Sequence, residues 1–566
     1  MDKPQTNKKP KAKTEAGTKT DAKAKPTTKR PGTTKGSRPP FKPRKSATAK
    51  ATPRPSRRNE VAGLAARQLA ASLIHAVQVD GKSFDERWAH AMRNAETSQP
   101  AQASAAQRAP ATAPDRKALL DPNRRVARSA AGGAGPSSDG RGRNATIDAR
   151  DRSSLTDARD RSSLSDARDR AMSRLMAATA LRRGGQIDAV LNAFLSSPLP
   201  EDRGKAWAIL QVAAVQMLFL DTAPHAAINI AVEQMRRDPQ ARRFAKLANA
   251  VLRKVATEGP TLIAAQAPQA LNTPAWMYER WRDAYGDTAA DAIARAHLGT
   301  AALDVSVRAD PDHWAQTLQG THLATGSIRL TPSGRIEQLE GFDEGAWWVQ
   351  DAAAALPVKL FGDVRGQRIA DLCAAPGGKT AQLAAAGAHV TAIDHTPARL
   401  ALLQANLDRL GLQAQTIATD ARTWTPDEPL DGVLLDAPCT ATGTIRRHPD
   451  IPYLRRPEDV SKLATIQAAL LEHAATLVRP GADLVYCVCS LEPEEGPDQV
   501  AHFLAGHDAF ARVRVDAAAI GASPQWLRDD GAIRTLPHHS VPVLSDGPSV
   551  SEGLDGFYIA HLRRAS

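Results

Sequence analysis

A chain of 566 residues exceeds what one hydrophobic core organises and points to roughly three or four domains. The net charge of +13 is unevenly spread: residues 1–60 hold 19 Lys and Arg against 4 Asp and Glu, a net of +15, which leaves −2 for all that follows. Four cysteines exclude a disulfide framework, and no run of about 18 apolar residues exists to cross a membrane.

Residues 1–58 form a Lys/Pro/Thr/Ala tail with Phe41 as its single aromatic. Such a segment cannot bury enough apolar area to offset its ordering entropy and is expected to be disordered. It serves either to attract phosphate backbones without specificity or merely to solubilise. The start lacks the apolar run of a signal peptide, so a reduced, cytoplasmic compartment is expected, in which thiols stay nucleophilic.

A helical domain is expected over 59–258. Leu69, Leu73 and Val77 recur at helical spacing, Gly81 ends that run, and Ser83-Phe84-Asp85-Glu86 has the form of a capping box opening a second helix through Trp88 and Met92. A disordered insertion is expected at about 97–165. It is rich in Ala, Pro, Ser, Gly and Arg and ends in a nine-residue repeat, far shorter than solenoid units, with copies from Asp148 and Asp157 and a last copy from Asp166 that runs into the next helix. Helical patterning resumes at Ala171 and runs through Lys205–Leu220, His225–Arg236 and Phe244–Arg253, pieces that close as an all-α bundle. Residues 259–345 read as a linker and a small α+β subdomain, with Trp276 to Trp281 in a helix.

Over 346–566, opened by Trp347-Trp348, short apolar runs at 369–372, 390–393, 416–418, 433–435 and 484–488 alternate with helical segments. That order predicts a doubly wound, mostly parallel α/β sheet of Rossmann-like type, with ligands beyond the carboxyl ends of the strands. At the first strand end stands Asp371-Leu372-Cys373-Ala374-Ala375-Pro376-Gly377-Gly378-Lys379-Thr380, a glycine turn that brings backbone and a helix N-terminus to a ligand. Asp394, Asp420 and Asp436 end or follow the next three strands. An NAD-type domain also uses a glycine turn, but this loop is not Gly-x-Gly-x-x-Gly. The run of carboxylates suits S-adenosylmethionine, whose ribose, adenine amine and cationic head all attract acceptors.

Cys439 and Cys489 each follow a strand end. Thiols beside a nucleotide-type cofactor suit cytosine methylation at carbon 5. That chemistry needs a thiolate to add at carbon 6, an acidic partner near N3 and a base for elimination, roles open to Cys489, Asp436 and Cys439. Cys373 reads as a packing residue and Cys487 as core; without a Cys-x-x-Cys pair no metal site is expected.

These motifs, with Arg446-Arg447-His448-Pro449-Asp450, Tyr486-Cys487-Val488-Cys489-Ser490 and Asp555-Gly556-Phe557-Tyr558, make the chain similar to bacterial 16S ribosomal RNA cytosine carbon-5 methyltransferases of the RsmB (Sun or Fmu) type, within the Nol/Nop/Sun family. The helical part resembles a NusB-type RNA-binding domain, chiefly through Asn249-Ala250-Val251-Leu252-Arg253. The resemblance implies Cys489 as nucleophile, Cys439 assisting product release, and S-adenosylmethionine held by Cys373, Ala374, Ala375, Pro376, Gly377, Gly378, Lys379, Asp394, Asp420 and Asp436. It implies 16S ribosomal RNA as partner; a monomer without metal is expected. Val488 stands where the family usually has Thr. Transfer RNA or DNA as target, or a non-catalytic RNA-binding factor, are the alternatives. His448 either contacts RNA or shapes a loop held by Pro449 and Asp450, and Trp347-Trp348 is either a core bridge between domains or a base-stacking platform.

Overall fold

A computed structural model describes residues 63–96, 167–331, 335–544, 550 and 553–566. The expected basic tail, and the insertion with the first two copies of the repeat, lie outside the described residues. Helices Leu64–Gln78, Phe84–Glu96, Ala167–Arg182, Gly184–Ala193, Ala206–Leu218, Pro224–Arg237 and Ala245–Ala264 form the helical body. The sequence of Ala206–Leu218 is apolar on nearly every face, and that helix is correspondingly buried from Ala206 to Gln216 except at Trp207. Around it pack Ile74, Met176, Ile187, Leu191, Met235 and Leu252, all fully buried.

The linker expected from residue 259 starts later, because the last helix continues through Pro260 to Ala264. A proline inside a helix removes one backbone hydrogen bond. Packing offsets that loss: Leu262 and Ile263 lie against the core, and Leu218 crowds Gly259 so closely that a Cβ there would lie 2.9 Å from Leu218 Cδ2.

Three helices, Pro268–Asn272, Ala275–Tyr285 and Asp287–His297, lead to a small antiparallel sheet. Its strands are β1 (Leu303–Val307), β2 (Thr321–His322), β3 (Ile328–Leu330) and β4 (Trp347–Val349), in the order β2-β3-β1-β4. Trp347-Trp348 therefore closes the small sheet rather than opening the next domain, with Val307 opposite Trp347 and Ser306 opposite Trp348. Alternation along the strand sends the two indoles to opposite sides. Trp347 packs with Val305, Ile328 and Leu330, while Trp348 packs with Leu400, Leu403 and Leu407 of the following domain. Both are buried, so the pair is a bridge between cores and not a stacking platform.

The large sheet contains β5 (Arg368–Leu372), β6 (His389–Asp394), β7 (Gln415–Ala418), β8 (Leu430–Asp436), β9 (Val478–Val488), β10 (Phe510–Val513), β11 (Ile533–Arg534) and β12 (Tyr558–Arg564). The order is β10-β12-β9-β8-β5-β6-β7, with β11 on β12; β5 to β9 are mutually parallel and β12 runs antiparallel to β9. Ile369, Val433, Leu434, Leu484 and Val485 are fully buried, as expected of strands covered by helices on both faces. Strand order reverses between β5 and β8, which places a crevice at their carboxyl ends.

Candidate active site

The glycine loop leaves β5 at that crevice. Asp371 is fully buried; its Oδ2 accepts the Thr380 hydroxyl at 2.6 Å, and Oδ1 has no hydrogen-bond partner among the described residues. Burial pushes its carboxyl up to about 7. Cys373 sits at φ 63°, a region costly for a side-chain-bearing residue, and burial pushes its thiol up to about 12. Both facts suit a shaping residue and not a nucleophile. Gly377, at φ 103°, passes so near the helix Pro397–Leu410 that a Cβ would lie 2.6 Å from Leu403 Cγ.

Gly378 then opens the helix Gly378–Ala385, whose first turn carries Lys379. Its Nζ lies 2.8 Å from Asp436 Oδ2 at the end of β8 and 5.2 Å from the centre of the Phe557 ring. Burial works against the ammonium, but the Asp436 carboxylate outweighs it and holds Lys379 protonated. Asp394 faces the loop from β6, its Oδ2 accepting the Ala375 N–H at 3.3 Å and its Oδ1 the Thr396 N–H at 3.0 Å. Ala374 donates its N–H to Ile393 at 2.9 Å, so the loop is pinned to the end of β6 from both sides. Asp420 stands apart, half-buried and paired with Arg422 at 2.6 Å, which holds its carboxyl down to about 2.

The thiols meet on the other side of Asp436. Cys439 and Cys489 are both free, and their sulfurs are 3.5 Å apart. Cys439 is buried, and the hydrogen bond to Cys489, burial and the nearby sulfur charge push its thiol well above the usual range. Cys489 is half-buried. Cys487 is core, yet its Sγ lies 3.5 Å from Asp436 Oδ1. Val488 is fully buried in the sheet, opposite Tyr558, where it serves packing.

Two carboxylates in Glu492-Pro493-Glu494-Glu495 belong to the site and were missed by sequence reasoning. Glu495 is fully buried and accepts from Thr440 N at 2.9 Å, Thr440 Oγ1 and Ser490 Oγ at 2.5 Å each, and Gln467 Nε2 at 3.0 Å. Glu492, also buried, accepts from Arg280 Nε at 2.5 Å and Trp281 Nε1 at 3.2 Å, fastening the helix Ala275–Tyr285 to the loop after β9. In sequence the run reads as an exposed acidic turn; the donors that bury it come from remote segments.

The remaining motifs brace this site. Arg446 and Arg447 reach Asp555 at 3.2 and 2.8 Å, and Arg447 also pairs with Asp351. Gly556 crosses Gly443 so closely that a Cβ on Gly443 would lie 2.0 Å from the Gly556 carbonyl oxygen. His448 Nδ1 lies 3.0 Å from Asp85 Oδ2, and Asp450 Oδ2 accepts the Phe84 N–H at 2.9 Å. The loop after Cys439 thus binds the start of the helix Phe84–Glu96, which supports the loop-shaping reading of His448.

Among the described residues no group of His, Cys, Asp and Glu is arranged to hold a metal, and no helix is long and apolar enough to cross a membrane. The family described as 16S rRNA methyltransferase RsmB/F matches residues 360–563, and the NusB family matches residues 139–257. Ribosomal RNA small subunit methyltransferase B of Sodalis glossinidius is 37% identical over 356 residues, 59% of this chain and 81% of that protein. The protein of the same name from an Enterobacter species is 34% identical over 401 residues, 68% of this chain and 88% of the relative. The crystal structure of PH0851 shares the fold, with a TM-score of 0.58 at 23% identity over 74% of this chain and 95% of that one. With identity of that level spread over most of the relatives' length, the chain belongs to the RsmB/F family of S-adenosylmethionine-dependent ribosomal RNA methyltransferases, joined to a NusB domain.

Proposed function

We infer that this protein transfers a methyl group from S-adenosylmethionine to carbon 5 of a cytosine in 16S ribosomal RNA, through a transient covalent bond to Cys489. The observation that carries this reading is the pair of free thiols 3.5 Å apart, at the ends of neighbouring strands and beside Asp436. The target follows the small-subunit name borne by the relatives.

The glycine loop fits the cofactor. The unpartnered Asp371 Oδ1 offers an acceptor to a cationic amine, Asp394 and Asp436 supply further carboxylates at Ala375 and Lys379, and Asp420, assigned to the same cofactor, stands farther off on Arg422. Bound there, S-adenosylmethionine supplies an electrophilic methyl group. Cys489, its proton released to solvent, bonds through its sulfur to carbon 6 of the cytosine, which makes carbon 5 nucleophilic, and we assign Asp436 to the N3 edge. After transfer, a base takes the carbon-5 proton and the carbon–sulfur bond breaks, returning the electron pair to Cys489.

Cys439 suits the base. While Cys489 is free, its sulfur keeps Cys439 protonated. Once Cys489 is bonded to carbon it can no longer carry the charge that opposes a second thiolate, and Cys439 becomes easier to ionise. The helical domain serves to hold RNA beside this site. The decisive experiment is methyl transfer from labelled S-adenosylmethionine to unmodified small-subunit RNA. Cys489→Ala is expected to form no adduct and no product, and Cys439→Ala to accumulate a covalent RNA adduct. Retained transfer by Cys489→Ala sinks the mechanism; methylation of transfer RNA instead sinks the target.

A further inference from the structure

The loops that carry the two thiols leave different strands, and a sulfur–sulfur distance of 3.5 Å requires something to hold them in register. Backbone pairing supplies part of it: Gly443 donates its N–H to the Cys489 carbonyl at 2.9 Å. Thr440 Oγ1 also lies 3.0 Å from Ser490 Oγ, and Thr442 Oγ1 accepts the Leu491 N–H at 2.9 Å, but the largest set of contacts converges on one carboxylate. Glu495 Oε2 takes the hydroxyls of Thr440 and Ser490, the residues that directly follow Cys439 and Cys489. Glu495 Oε1 takes the Thr440 N–H and Gln467 Nε2, and Gln467 Nε2 also donates to the Pro438 carbonyl at 2.9 Å, just before Cys439. Tyr486, in β9, in turn donates its hydroxyl to the Glu495 carbonyl at 2.7 Å, fixing the backbone that presents the carboxylate.

We propose that Glu495 is a positioning residue for the thiol pair: it touches neither thiol, but its carboxylate ties the Cys439 loop to the Cys489 loop and sets their spacing. This rests on the two-thiol reading only for its consequence in catalysis; the spacing itself is measurable without turnover. Four donors meet two oxygens, an arrangement an ionised carboxylate satisfies completely. A glutamine retains most of it. Its carbonyl oxygen can face Thr440 N–H and Gln467 Nε2, which only donate, while its amide faces the two hydroxyls, which can turn to accept. Alanine leaves the Thr440 N–H without its acceptor in a buried site and leaves the two hydroxyls only each other.

The test uses the azo oxidant diamide, which accepts two electrons and two protons to become a hydrazine as two neighbouring thiols become a disulfide. The Cys439–Cys489 product is read by mass spectrometry of the full chain. Glu495→Ala is expected to slow this coupling about tenfold or more and to lower kcat with little change in the KM for S-adenosylmethionine, while Glu495→Gln restores most of both. Ser490→Ala removes the Glu495 tie to the Cys489 loop, together with the contact to Thr440, leaves the tie to the Cys439 loop, and is expected to slow coupling as well. Wild-type coupling rates in Ser490→Ala overturn the proposal, even where Glu495→Ala fails to fold. So does a Glu495→Gln variant no better than a folded Glu495→Ala. If Cys489→Ala instead retains methyl transfer, the two-thiol mechanism falls while the coupling rates still decide the role of Glu495.

Discussion

The sulfur of Cys439 lies 3.5 Å from that of Cys489, yet Cys439 is buried at 8% exposure and Cys489 is the more accessible of the two. Proximity and burial both suppress ionisation of Cys439, and a thiolate is what a soft electrophile attacks. Limited alkylation with iodoacetamide is therefore expected to label Cys489 first, with Cys439 following only after longer exposure. Peptide mapping checks the order. Preferential labelling of Cys439 would show that the nucleophile and its helper have been assigned the wrong way round.

Asp371 gives a pH dependence with a definite sign. Its carboxyl, pushed up to about 7 by burial, is ionised above that value and neutral below it. A cationic ligand that completes its Oδ1 favours the ionised form, so affinity for S-adenosylmethionine is expected to weaken by about tenfold as the pH falls from 8 to 6. For the protein without ligand the linkage runs the other way. The raised carboxyl favours folding most below the unfolded value near 4, and that advantage is lost as the pH rises towards 7. Calorimetric titration checks the first effect, which should vanish in Asp371→Asn; a flat profile in the wild type refutes it.

How much of this was legible in the sequence depends on where the partners lie. Four of the five parallel strands were readable because a strand covered on both faces is a short apolar run whatever its surroundings, as with Val433 to Leu435; the fifth, β7, lies at the sheet edge and is only partly buried. The glycine loop and both thiols were readable because their spacing to strand ends is local. Glu492 and Glu495 were not, since a carboxylate in a turn is exposed unless distant donors reach it, and here those are Arg280, Thr440 and Gln467. The end of the small sheet was missed for the same reason: Trp347-Trp348 declares an apolar strand but not that β1 is its neighbour.

The closing motif is a brace, and its removal should be costly. Asp555 receives Arg446 and Arg447, and Arg446 and Asp555 are buried at 2% and 3% exposure. Removing one member of such a network leaves charge without compensation in a region of low dielectric. Asp555→Ala is expected to lower unfolding stability by roughly 3–5 kcal/mol, measured by chemical denaturation of the full chain. A loss below about 1 kcal/mol would mean that Asp351 carries the two arginines alone.

The contact between Asp450 and Phe84 joins the helical domain to the loop that follows Cys439. Asp450 accepts the first N–H of the helix Phe84–Glu96, in the manner of an N-cap supplied from another domain. Asp450→Ala is expected to lower stability by about 1 kcal/mol and to make the helical domain easier to cleave by protease. Beside it, burial works against the charged form of His448, but the hydrogen bond to Asp85 outweighs it and raises the imidazole above its ordinary value. Because the folded value is the higher one, the stabilisation is complete below the unfolded value near 6.5 and is lost as the pH rises through the folded one. Both side chains are about half exposed, so the pair is screened and contributes less than about 1 kcal/mol. Protease sensitivity of the wild type should therefore rise slightly above pH 7, and His448→Asn should remove that rise without reproducing the larger effect of Asp450→Ala. Equal effects of the two substitutions would show that the junction depends on charge and not on the helix cap.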